Sequence, residues 1–117
     1  NVDTALNTVI SVAITTVGGD VVILAKSRVD NPSVTTVQTG VRMAITKDGT
    51  VLDEFTNGQH ALSGTQGEGT TYTLSVIDVA PTAASHTYAL KVQHAVAIPN
   101  GLTDWYENRI YVAELKK

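Results

Sequence analysis

Three histidines, His60, His86 and His94, are the side chains in this sequence that titrate near neutral pH and ligate metals, since it has no cysteine. His86 and His94 fall on one face of a single extended segment. At strand rise the eight residues between them span ~26 Å, too far for one ion. A three-fold axis that gathers three copies of one histidine is the arrangement left for a metal, and none is expected. Asp48, Asp53 and Glu54 lack the alternating spacing of a calcium loop. Ser85 and His86, with Asp78 upstream, hold the residue types of a hydrolase. Neighbours on a strand point to opposite faces, however, so this nucleophile and base cannot meet. Neither enzymatic activity nor a cofactor is expected.

Trp105-Tyr106 is a second candidate. Two aromatic rings in a loop form a platform on which a sugar stacks, with Asp104, Glu107 and Asn108 to bind its hydroxyls. The competing assignment is a hydrophobic plug or a subunit contact, because aromatic residues are also enriched in cores and interfaces.

Composition narrows the class. The 117 residues suit a single domain, residues 1–117, with one core. Eight basic against 11 acidic residues, formally −3, give no cationic surface for nucleic acid. No apolar run reaches the ~18–20 residues of a membrane helix, and no targeting segment is seen; neither nucleic acid nor a membrane is an expected partner. The first residue is Asn1 rather than Met, as in a processed chain or a fragment. Charged residues make up only 16%, against an ordinary ~25%. Val and Thr are prominent, a composition suited to pleated surfaces that pack on copies of themselves.

The elements that must position these residues are strands. Leu6–Val17 is dense in β-branched residues, apolar on both faces, and ends at Gly18-Gly19. Asp20–Asp30 alternates Val21, Ile23, Ala25 and Val29 against Lys26 and Arg28. Ser33–Gly40 is a weak edge strand or a loop. Val41–Lys47, with Val41, Met43 and Ile45 inward, is joined to Thr50–Phe55 by Asp48-Gly49. That dipeptide predicts a two-residue type I′ hairpin with positive φ at both positions. Thr56–Gly69 is expected to be a long polar connection. Thr70–Val79 places Tyr72, Leu74 and Val76 on one face, and His86–Ala95 does the same with His86, Tyr88, Leu90, Val92 and His94. Ala97–Asn108 is expected to be irregular and Arg109–Leu115 to be the last strand. Seven to nine short strands without a helix predict an all-β, antiparallel jelly-roll sandwich, with an immunoglobulin-like sandwich as the rival.

Between two of these strands lies Asp78-Val-Ala-Pro-Thr-Ala-Ala-Ser-His-Thr-Tyr88. Pro81 cannot donate to a ladder, so it belongs in a corner. His86 and Tyr88 point inward and need polar partners, for which Asp78 is a candidate. This stretch resembles the C-terminal domains of phage virion and bacterial surface proteins, which are similar to the trimeric jelly rolls of the tumour necrosis factor and complement globular-head families. Val21-Val22-Ile23-Leu24, the Val41-Arg42 strand with its Asp48-Gly49-Thr50-Val51 hairpin, and Asn108-Arg-Ile-Tyr-Val-Ala-Glu-Leu-Lys116 resemble further parts of those domains. Ser85 stands where Gly is usual. The resemblance implies a non-enzymatic homotrimer on a virion surface or outside the cell, either decorating a capsid or forming a fibre head. Its partners would be itself and capsid or tail proteins. A tip domain that binds a host surface glycan or receptor is the alternative.

Overall fold

A computed structural model describes residues 6–30, 37–62, 69–94 and 105–116, with the side chains of 30, 37–40, 57–62, 69 and 94 left aside. The described residues form seven strands: β1 Asn7–Thr15, β2 Val21–Asp30, β3 Val37–Lys47, β4 Thr50–Leu62, β5 Gly69–Asp78, β6 Ser85–His94 and β7 Trp105–Glu114. All pairings are antiparallel. They build a four-stranded sheet in the order β1-β6-β3-β4 and a three-stranded sheet in the order β5-β2-β7. The protein is therefore all-β, with two sheets. Among the described residues no helix is long and apolar enough to cross a membrane.

The order of pairing is nested. β3 pairs with β4, β2 with β5, and β1 with β6, so successive pairs widen around the β3–β4 hairpin and alternate between the sheets. At the hairpin, Asp48 and Gly49 have φ of 49° and 88°, the left-handed pair that a type I′ turn requires.

The core lies between the sheets. Val21, Ile23, Ala25 and Val29 of β2 face Val41, Met43 and Ile45 of β3 and Tyr88, Leu90 and Val92 of β6, all buried. The period-2 alternation of each strand puts these side chains on one face. Tyr72, Leu74 and Val76 of β5 and Ile110 and Val112 of β7 pack against the same core from the three-stranded sheet.

Four sequence expectations need correction. β1 is less apolar on its outer face than its parity suggests, because Val9 packs on the core and Ala13 alone is left among the polar residues of that face. A register shift between Thr8 and Ile10 turns Ile10, Val12 and Ile14 inward, and Ser11, Ala13 and Thr15 are exposed. Val37–Gly40 belongs to β3. The polar stretch after Phe55 is not all connection, because β4 runs to Leu62 with Asn57, His60 and Ala61 opposite Val41, Thr39 and Gln38. Backbone pairing with an existing strand carries a polar sequence into the ladder, since the ladder bonds are made by peptide groups common to every residue. Finally, β7 starts at Trp105 rather than Arg109.

Candidate functional site

One cluster of side-chain hydrogen bonds among the described residues lies at one end of the sandwich. There the β1–β2, β3–β4 and β5–β6 turns meet the end of β7. Asp48 is the centre of this cluster because the type I′ turn lays it against β6. Its amide donates to the Thr87 carbonyl at 2.9 Å, and its Oδ1 accepts the Thr87 amide at 2.8 Å. Its Oδ2 lies 2.7 Å from His86 Nδ1.

His86 is buried, on the inner face of β6 and opposite Ile14 of β1. Its Nε2 lies 2.9 Å from the Thr82 carbonyl oxygen and 3.3 Å from Thr82 Oγ1. The same carbonyl accepts the Thr16 hydroxyl at 2.6 Å, and the Thr16 amide donates to the Ala84 carbonyl at 2.9 Å. One imidazole thus joins the hairpin to a corner that is itself fastened to the end of β1.

Two residues further along β6, the Tyr88 hydroxyl donates to Asp78 Oδ2 at 2.8 Å, and Lys47 Nζ lies 3.0 Å from the same oxygen. Asp20 Oδ1 accepts the Ala80 amide at 2.9 Å. Glu114 accepts the amides of Val17 at 2.9 Å and Gly19 at 2.7 Å. Each carboxylate satisfies groups that their burial or turn geometry would leave without a ladder partner.

These contacts set the charge states. The hydrogen bond from His86, followed by the Thr87 amide, holds the Asp48 carboxyl below its ordinary 3.8. The bond to Asp48, followed by the Thr82 carbonyl, holds His86 above its ordinary 6.5. Burial first, and then Asp78, push the Tyr88 hydroxyl well above its ordinary value.

The order Asp48, His86, Thr82 hydroxyl contains the atom types of a nucleophilic triad. The proton arrangement is wrong for one. Nε2 sits closer to the Thr82 carbonyl than to the hydroxyl. A carbonyl oxygen only accepts, so the shorter of the two contacts favours a proton on Nε2, and a nitrogen so protonated has no lone pair with which to take another. In that arrangement the cluster cross-links turns. Among the described residues no three His, Asp or Glu side chains are grouped to hold a metal.

Asp78 serves Tyr88, and His86 takes Asp48. No spacing in the sequence pairs residues 38 apart; the available hint was an Asp at a tight turn leading back towards a strand with an inward His. Pro81 is buried at the corner, while Thr82, Ala83, Ala84 and Ser85 are exposed. The backbones of His60 and His94 lie in β4 and β6, and their side chains are outside the described set.

The aromatic candidate divides. Trp105 is not in a loop: it lies in β7 opposite Val29, buried, with its ring 6.4 Å from Tyr72. A bulge makes this possible. Lys26 pairs with Arg109 and Arg28 with Tyr106, so Glu107 and Asn108 share the place opposite Ser27. Glu107 takes φ of 53°, and Asn108 Oδ1 accepts the Ser27 hydroxyl. Tyr106 and Glu107 are exposed on the bulge, and Asn108 is half-buried. Asp104 lies outside the described residues.

The outer face of the three-stranded sheet is the other unusual surface. Val22 stands between Ile77 and Ala113, Leu24 between Ser75 and Tyr111, and Lys26 between Thr73 and Arg109. Leu24, Ile77 and Tyr111 are 49%, 55% and 57% exposed. Grooves of about 330 and 470 Å³ run along Leu24 and Tyr111. Compared with protein-family models, curated proteins and solved structures, the chain matches none.

Proposed function

We propose that this chain is a non-enzymatic structural module that assembles as a homotrimer on a virion surface or outside the cell, decorating a capsid or forming a fibre or spike head. The observation that carries the self-assembly is the outer face of β5-β2-β7. Leu24, Ile77 and Tyr111, with half-buried Val22 among them, make a contiguous apolar area on adjacent strands. Solvated sheet faces alternate to polar residues, and an exposed apolar area of this kind marks a contact surface. The nested pairing around the β3–β4 hairpin supports a jelly roll, which is a long hairpin rolled over two sheets. The three-fold number comes from the resemblance of the Asp78–Tyr88 corner and the closing strand to trimeric jelly-roll domains.

Light scattering at micromolar concentration tests the proposal. A mass three times the 12.4 kDa of the chain is expected. Leu24→Glu should give the single-chain mass with an unchanged far-ultraviolet spectrum. A wild-type mass of one chain overturns the trimer.

A second reading, a carbohydrate- or receptor-binding tip, has one observation in its favour: Tyr106 is exposed on the bulge beside Glu107. Trp105 is not available to it as a platform, because its ring is in the core. Binding on a glycan array that Tyr106→Ala abolishes would favour this reading over decoration.

A further inference from the structure

We infer that His86 is a structural imidazolium and that it forms a pH-gated clamp between the β3–β4 hairpin and the β5–β6 corner, closed while the ring holds both protons and released as one is lost on the alkaline side. The inference is independent of the assembly proposed above, because every atom it uses lies within one chain.

The geometry of the two ring nitrogens carries it. Nδ1 is 2.7 Å from a carboxylate oxygen of Asp48, and Nε2 is 2.9 Å from the carbonyl oxygen of Thr82. Both partners are pure acceptors, whereas a neutral imidazole has a single N–H. Either neutral tautomer would set a nitrogen lone pair against an oxygen lone pair in a buried site. Only the doubly protonated ring satisfies both contacts.

The surroundings are consistent with a charged ring. Asp48, from the hairpin, supplies the counter-charge, and Lys47 beside it is engaged by Asp78 from the end of β5. Tyr88 is the next inward residue on His86's own strand, with ring centroids 6.5 Å apart, and it donates to Asp78. From β1 and the residue that follows it, the facing side chains are Ile14 and Thr16, neither of which titrates. Thr82, on the Nε2 side of the ring, is exposed, so the proton on Nε2 has a route to water.

The proton lost first is the one on Nε2. The bond from Nδ1 to the Asp48 carboxylate is charge-assisted at both ends and outlasts the bond to a neutral carbonyl. When hydroxide removes the Nε2 proton as water, the bare lone pair repels the Thr82 carbonyl. The Thr82 hydroxyl, 3.3 Å away, is placed to donate to Nε2 in its stead. The carbonyl then turns away and takes with it the Thr16 hydroxyl bond, loosening Pro81–Ser85 from β1. The hairpin stays docked through Asp48 and Thr87, whose backbone contacts do not involve the ring.

Nitrogen-15 spectra of the histidine rings of the whole chain across pH test this, with His86→Gln to assign the signals. Two protonated nitrogens are expected below the midpoint, and the midpoint itself above 6.5. Asp48→Asn should move that midpoint down. Through the same midpoint the hydrogen-exchange protection factor of the Thr16 amide, which is bound to the Ala84 carbonyl, should fall about tenfold while that of Thr87 holds. A midpoint at or below 6.5, or one unmoved by Asp48→Asn, overturns the imidazolium. A raised midpoint with Thr16 protection unchanged through it overturns the gate.

Discussion

Tyr88 and Asp78, ten residues apart along the chain, meet across the corner at 2.8 Å, hydroxyl donating to carboxylate, with Lys47 on the same oxygen. The contact explains why a tyrosine occupies a fully buried position beside the aliphatic Leu90 and Val92. A buried hydroxyl is tolerated only when bonded, and here the acceptor is itself neutralised by an ammonium.

Tyr88→Phe therefore removes one charge-assisted bond and leaves Asp78 with Lys47. A loss of about 1.5–3 kcal/mol is expected in urea unfolding. Asp78→Ala should cost more, because it strands both the hydroxyl and the ammonium. Equal losses in the two variants would mean that Lys47 contributes nothing to the site.

The pH dependence of stability has two outer limbs. Tyr88 has its folded value raised above the ordinary 10.0, so its contribution is complete below about pH 10 and is lost as pH rises beyond it. Asp48 has its folded value lowered from 3.8, so its contribution is complete above that pH and is lost as pH falls through the lowered value. Thermal melts should show both limbs, with the acid limb reduced in Asp48→Asn and the alkaline limb reduced in Tyr88→Phe.

Trp105 is a core residue, and Trp105→Ala should cost about 3–5 kcal/mol. Tyr106→Ala, one residue on but exposed, should leave the denaturant midpoint within about 0.5 kcal/mol of wild type. A near-neutral Trp105→Ala would contradict the burial of its ring against Tyr72.

Gly19 is packed so tightly that an added Cβ would run into the Leu115 carbonyl and crowd Glu114. Gly19→Ala is expected to cost about 1–3 kcal/mol by overpacking. The Leu115 amide, bonded to the Asp20 carbonyl at 2.7 Å, should lose exchange protection in that variant.

Lys26 and Arg109 stand directly opposite on the outer face, with no carboxylate paired to either among the described residues. Like charges so placed repel. In a Leu24→Gln background, which adds no charge to that face and where single chains are expected, Arg109→Glu should raise stability by about 0.2–1 kcal/mol. A decrease would show that the repulsion is already relieved within one chain.

Much of this was legible in the residues. Alternation in β2, β3, β5 and β6 identifies the inward set, because a strand has only two faces and burial selects one of them. Asp48-Gly49 specifies its turn because few residue pairs accept two left-handed conformations. Strand ends were less legible. β4 outlasts its apolar pattern because β3 supplies the pairing, and β7 begins early because a bulge resets its parity at Glu107 and Asn108.

What the sequence determined by itself is therefore local: strand periodicity, the hairpin, the Pro81 corner and the inward direction of His86 and Tyr88. Which acceptor each of those groups meets was decided only by tertiary structure. Asp48 and Asp78 both lie within reach of the corner in principle. The docking of the β3–β4 turn on β6 gives Asp48 to His86, and the pairing of β5 with β2 gives Asp78 to Tyr88. Hydrogen bonds are decided at the scale of an ångström, and nothing in residue spacing carries that scale across two sheets.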